Sequence, residues 1–301
     1  MSTTERALPR SANVSAVAGT AKEQSRKCNL AKLLADPSDF VASMAMESIL
    51  HGAVTPEQCQ QFIRDCQDSS DTMLRRRIQQ LTAVQNFERL KKDFASELKS
   101  RHSNALLNCI MLLDRIYNPK SSEEYLLQLM RELYAGFNPG EEPKSDAEAL
   151  AEFMRERNFH TPPLPWLNIG FFLLGDVLES GIGVPHLLTA VAAAVARSKD
   201  MKCAVCMSDG HLGLYFPSGD LIKPMELWNI KHGVSASSLH ICETVHTVRS
   251  LLGLALSTSA TAWSAGDVEL FTSLLVECGL VNSSAAHLPY PFGDFLKDTG
   301  Y

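Results

Sequence analysis

The chain has 301 residues, 45% of them apolar and 21% charged, with a net charge of −6. That length carries one large domain or two smaller ones, and the composition is ordinary for a globular protein. The acidic balance excludes the basic face that nucleic acid needs, and the longest apolar run, Leu187 to Ala196, falls far short of the ~20 residues of a membrane-crossing helix.

The eight cysteines (Cys28, Cys59, Cys66, Cys109, Cys203, Cys206, Cys242 and Cys278) are scattered along a chain too large to need disulfide staples. Reduced thiols and a cytoplasmic setting are the expectation. Residues 1–28 are rich in Ser, Thr and Ala and contain Pro9, the composition of a disordered tail rather than of an amphipathic transit peptide.

Residues 29–101 read as a helical region. Apolar positions from Leu30 to Leu50 have helical spacing, with a break at Pro37. Thr55-Pro56-Glu57-Gln58 carries a capping box and a proline at the first helical position. Cys59 and Cys66 then lie two turns apart on one face, as small core residues rather than metal ligands. From Met73 to Lys99, Ile78, Leu81, Val84, Phe87, Leu90, Phe94 and Leu98 form one stripe, and Arg75, Arg76 and Arg77 read as its solvated start.

A second helical pair follows, ended first by Asn118-Pro119 and reopened by a capping box of Ser121 with Glu124. Ser145 with Glu148 opens the next helix, and the acids Glu141, Glu142, Asp146 and Glu148 around it read as a solvated face. Gly170 to Glu179 predicts a short helix. Leu187 to Val195 predicts one that is apolar on nearly every side and therefore buried. Lys202–Met207, Leu212–Phe216 and Leu221–Ile222 read as about three antiparallel strands, the last two joined by a turn at Gly219-Asp220. Leu239 to Leu256 and Val268 to Leu280 predict two closing helices around the turn Ala262-Trp263-Ser264-Ala265-Gly266-Asp267, and the tail 282–301 contains Pro and Gly.

Three segments together resemble the SirB1 family: LLNCIMLLDRIYNPKSSEEYLLQLMREL, then VLESGIGVPHLL followed by GHLGLYF, then AWSAGDVELFTSLLVECGL. The resemblance covers roughly residues 105 to 280. It implies an α+β, mainly helical fold with a transglutaminase-like core over 102–230 and a tetratricopeptide-like helix pair over 231–281. Active enzymes of the transglutaminase-like kind use a Cys-His-Asp site, with the cysteine at the start of the buried helix. Aligned by the Gly183-Val184-Pro185 turn, the nucleophile position here is Pro185. His211 matches the histidine, and Lys223-Pro224 stands where the acid is expected. A charged lysine cannot accept a hydrogen bond from an imidazole N–H.

The resemblance therefore implies a degenerate scaffold that binds a protein or peptide without a cofactor, through a groove around His186, His211 and Trp228. For Trp228, core packing is the competing expectation. Two alternatives compete with this reading. One is a cysteine-dependent hydrolase or acyltransferase using Cys206 with His211, and with Asp209 or Asp220 near the histidine in sequence. The other is a zinc site built on Cys203 and Cys206, although an intervening strand should turn those two to opposite faces.

Overall fold

The computed structural model describes residues 25–53, 55–139, 145–163 and 167–281. The expected tail 282–301, most of the tail 1–28 and the acidic pair Glu141–Glu142 lie outside the described residues. The chain divides into two compact units, Met1–Glu88 and Arg89–Tyr301. The division falls within one continuous helix rather than near residue 101. The expected segments 102–230 and 231–281 belong to a single unit, because the closing helices pack on its core.

The first unit contains helix α1 (residues 25–34), α2 (Asp39–Ser48), α3 (Pro56–Gln67) and the first part of α4 (Thr72–Leu98). The break at Pro37 separates α1 from α2 as expected. The capping box of α3 is complete: the Gln58 N–H donates to Thr55 Oγ1 and the Thr55 N–H donates to Gln58 Oε1 at 3.1 Å. Leu34, Ile49, Cys59, Phe62, Ile78 and Leu81 make the core of this unit. Cys59 is a core residue whose sulfur accepts from Gln85 Nε2, while Cys66 is half-buried. The arginine triplet is not uniformly solvated. Arg75 and Arg76 are exposed, but Arg77 turns inward and pairs with Asp39.

The second unit continues with α5 (Ala105–Tyr117), α6 (Glu123–Gly136) and α7 (Asp146–Glu156). The cap of α6 is Ser122, whose hydroxyl accepts from the Tyr125 N–H, and not Ser121 one residue earlier. Ser145 and Glu148 form the expected capping box of α7. A 3-10 turn, Ile169–Phe172, leads into α8 (Leu174–Ser180), and then comes α9 (Pro185–Arg197). Every residue of α9 from Pro185 to Ala196 is buried, enclosed by α5, α7, the sheet and a closing helix, which explains why it is apolar on all sides.

The sheet is antiparallel, with strands β1 (Ala204–Ser208), β2 (His211–Tyr215), β3 (Leu221–Ile222), β4 (Ile230–Lys231) and β5 (His240–Ile241) in the order β4-β3-β2-β1-β5. The two strands not expected from sequence are the edges, each two residues long, too short to show alternation. Because β5 takes His240 and Ile241, α10 starts at Thr244 rather than near Leu239, and it runs to Thr261. Helix α11 (Ala265–Glu277) packs against α10. Among the described residues no helix is long and apolar enough to cross a membrane.

Candidate functional site

The start of α9 is shaped by two glycines and a proline. Gly181 ends α8 in a left-handed conformation (φ +77), where a Cβ would sit 2.7 Å from the Asn158 carbonyl oxygen. The Val184 N–H then donates to the Phe171 carbonyl at 3.0 Å, and Pro185 takes the first helical position, buried. His186 follows at 2% exposure, with Nε2 2.8 Å from Ser250 Oγ on α10. Burial pushes its imidazole down to about 4, so it is neutral at pH 7. Its Nδ1 is buried without a hydrogen-bond partner.

His211 opens β2 directly opposite Ser208 and is exposed. Cys206 lies further along the hairpin, opposite Gly213 rather than His211, and its buried Sγ lies 3.7 Å from the Gly213 carbonyl oxygen. Burial lifts the Cys206 thiol up to about 11, with Cys242 adding to the rise and Lys223 opposing it. Such a thiol is protonated at neutral pH and is a poor nucleophile. Cys203 stands just before β1, half-buried, with its thiol also raised by burial. Among the described residues no three His, Cys, Asp or Glu side chains gather as a metal ion would require.

Lys223 follows β3 and is 1% exposed. Its stem runs beside Gly213, where a Cβ would come within 2.5 Å of the Ile222 carbonyl oxygen and 2.9 Å of Lys223 Cγ. Lys223 Nζ reaches Asp209 Oδ2 at 3.4 Å and Glu226 Oε1 at 3.3 Å, and Lys231 Nζ joins Glu226 at 3.2 Å. Hydrogen bonds from Ser208 and then Lys223 hold the Asp209 carboxyl low. Burial works to raise Glu226, but hydrogen bonds from Lys231 and Lys223 outweigh it. Asp220 is taken by Ser218 and by His232 Nδ1, each at 2.8 Å. Neither Asp209 nor Asp220 is hydrogen-bonded to His211.

The three residues expected to line a groove are not brought together on an open surface. Trp228 is 1% exposed, its Nε1–H donates to the Phe159 carbonyl at 2.7 Å, and its backbone N–H donates to the Lys223 carbonyl at 3.0 Å. This is the core role weighed against the groove role. His186 is carried inside by the buried stretch Pro185–Ala196 of α9, so only His211 of the three is exposed. The partners of these groups differ in how far sequence could reveal them. Glu226 lies one helical turn after Lys223 and was within reach of a spacing argument. Ser250 and the Phe159 carbonyl are 64 and 69 residues from the groups they bind, and no local signal marks them.

Comparison with protein-family models, curated proteins and solved structures returns no match to this chain.

Proposed function

We propose that the chain is a SirB1-type protein, a transglutaminase-like scaffold with a tetratricopeptide-like helix pair, which acts by binding a protein or peptide rather than by catalysis of its own. The observation that carries this reading is Pro185 at the first position of the buried α9. It offers no side-chain atom that can attack a carbonyl, at the place where the resemblance puts the nucleophile. Lys223 supports the reading, because its ammonium is engaged by Asp209 and Glu226 and has no lone pair to orient His211. The cysteine-hydrolase alternative requires a reactive thiolate, and burial works against one at Cys206.

The test has two arms. The folded protein and its denatured form are treated side by side with iodoacetamide, and no cysteine is expected to label faster in the fold. Faster labelling of any one cysteine in the folded protein would overturn the non-catalytic half of the reading. Affinity isolation with the full chain is expected to return a reproducible protein partner; repeated isolation of none would overturn the binding half.

A further inference from the structure

Among the described residues, the most exposed large hydrophobic side chain stands in the turn between α10 and α11. Trp263 is 85% exposed and adopts a left-handed backbone (φ +58). Its N–H donates to the Ala260 carbonyl at 3.2 Å and the Ser264 N–H donates to the Ser259 carbonyl at 3.0 Å, so it stands where a helix ends and where glycine is the unstrained choice. Ala262, Ala265 and Gly266 around it are exposed and small, and a Cβ added to Gly266 would meet nothing within 4 Å. The exposed indole thus has small, largely exposed residues as its chain neighbours.

The charges that the chain itself carries through this turn and α11 have one sign. Residues 250–281 contain Asp267, Glu269 and Glu277 and neither lysine nor arginine. Glu277 is engaged by Lys91 at 2.7 Å. Asp267 accepts from the Tyr117 hydroxyl, and Asp176 lies near that same tyrosine. The Asp176 carboxyl is raised by burial first and then by the neighbouring charges of Asp114 and Glu179.

We infer that the α10–α11 turn is a docking knob for a protein partner whose apolar pocket is bordered by lysine or arginine, with Trp263 as the inserted anchor. The inference rests on the protein-binding reading above and assigns it a surface and a partner chemistry. Tryptophan is the side chain most often found as a dominant interface anchor, buried in a partner pocket and ringed by groups that exclude water. Charge selects the occupant. An anionic bilayer is attracted by Lys and Arg, which residues 250–281 lack, and a second copy of the same turn would set Asp267 and Glu269 against themselves.

The test uses the full chain with Ala265→p-benzoylphenylalanine, which leaves Trp263 in place. Irradiation in native extract is expected to cross-link one recurrent protein. That protein is then purified and titrated against the wild type, Trp263→Gly and the double variant D267N/E269Q. Trp263→Gly keeps the fold, because glycine adopts the left-handed position without strain. It is expected to weaken binding by ~30-fold or more, as loss of an anchor does. The double variant is expected to weaken binding several-fold and to flatten its salt dependence.

Equal binding of wild type and Trp263→Gly overturns the docking surface while leaving the protein-binding function standing. So does a partner isolated by the unmodified chain that never cross-links at position 265. No partner by either route removes both. Sedimentation of the wild type but not Trp263→Gly with phosphatidylserine vesicles, or a dimer that Trp263→Gly dissociates, overturns the assigned occupant.

Discussion

Gly213 and Trp228 show how single positions fix the sheet beneath the candidate site. At Gly213 the neighbouring strand's Ile222 carbonyl and the Lys223 stem occupy the space a side chain would need. Gly213→Ala is therefore expected to destabilise by about 1–3 kcal/mol through overpacking, read as a lower midpoint in urea with an unchanged slope. Trp228 sits at a left-handed φ of +61, immediately after Leu227 at +53, and its indole N–H satisfies the buried Phe159 carbonyl. Trp228→Phe keeps most of the apolar volume but removes that donor. A loss of about 1–3 kcal/mol is expected from the unsatisfied carbonyl, measurable by the same titration. A neutral result would mean that another donor reaches Phe159.

At the scale of elements, the start of α6 gives a sharp comparison. Ser122→Ala removes the hydroxyl that accepts from the Tyr125 N–H and is expected to cost about 1 kcal/mol. Ser121→Ala removes a buried hydroxyl oxygen that has no partner, so thermal denaturation should show no loss, or a small gain. The pair of melting curves would reverse if Ser121 were the true cap. This one-residue shift also shows what sequence could and could not reveal. The capping-box pattern fits Ser121 with Glu124, whereas the cap formed is Ser122, whose third helical residue is Tyr125 and cannot complete a box. Long stripes were legible: Ile78 to Leu98 predicts α4, and the apolar run after Pro185 predicts the burial of α9. Strands β4 and β5 were not, because two residues carry no period. For the candidate site, sequence offered the identities Pro185, His211 and Lys223 as expectations but not their contacts. Lys223 meets Asp209, 14 residues back, and the neutral His186 ring meets Ser250 on a helix yet to come.

For the whole molecule, buried titratable groups set a stability plateau. His186 is neutral in the fold with its imidazole lowered to about 4, whereas in the unfolded chain it takes up a proton near 6.5. Its contribution is therefore complete above pH 6.5 and is lost as pH falls towards 4, by about 1.4 kcal/mol per pH unit. His186→Leu should flatten the profile between pH 6.5 and 5; an unchanged slope there would show that another group titrates. At the alkaline end Cys109 is raised to about 12, and Cys206 and Cys278 to about 11, all chiefly by burial. Their unfolded counterparts ionise near 9, so stability should fall as pH rises beyond that value. Urea midpoints measured from pH 5 to 10 should thus describe a plateau from about 6.5 to 9.

The complete enclosure of α9 has a consequence during synthesis. The helix leaves the ribosome after α5 and α7, which cover part of it, but before β1, β2 and α10, which cover the rest. For that interval a segment with twelve successive interior residues, Pro185 to Ala196, has no finished shelter. Nascent chains with such surface are the ones that chaperones hold and that aggregate when stalled. A chain arrested before Thr244 should therefore partition into the insoluble fraction or onto a holdase, whereas one that has completed α10 should be released folded.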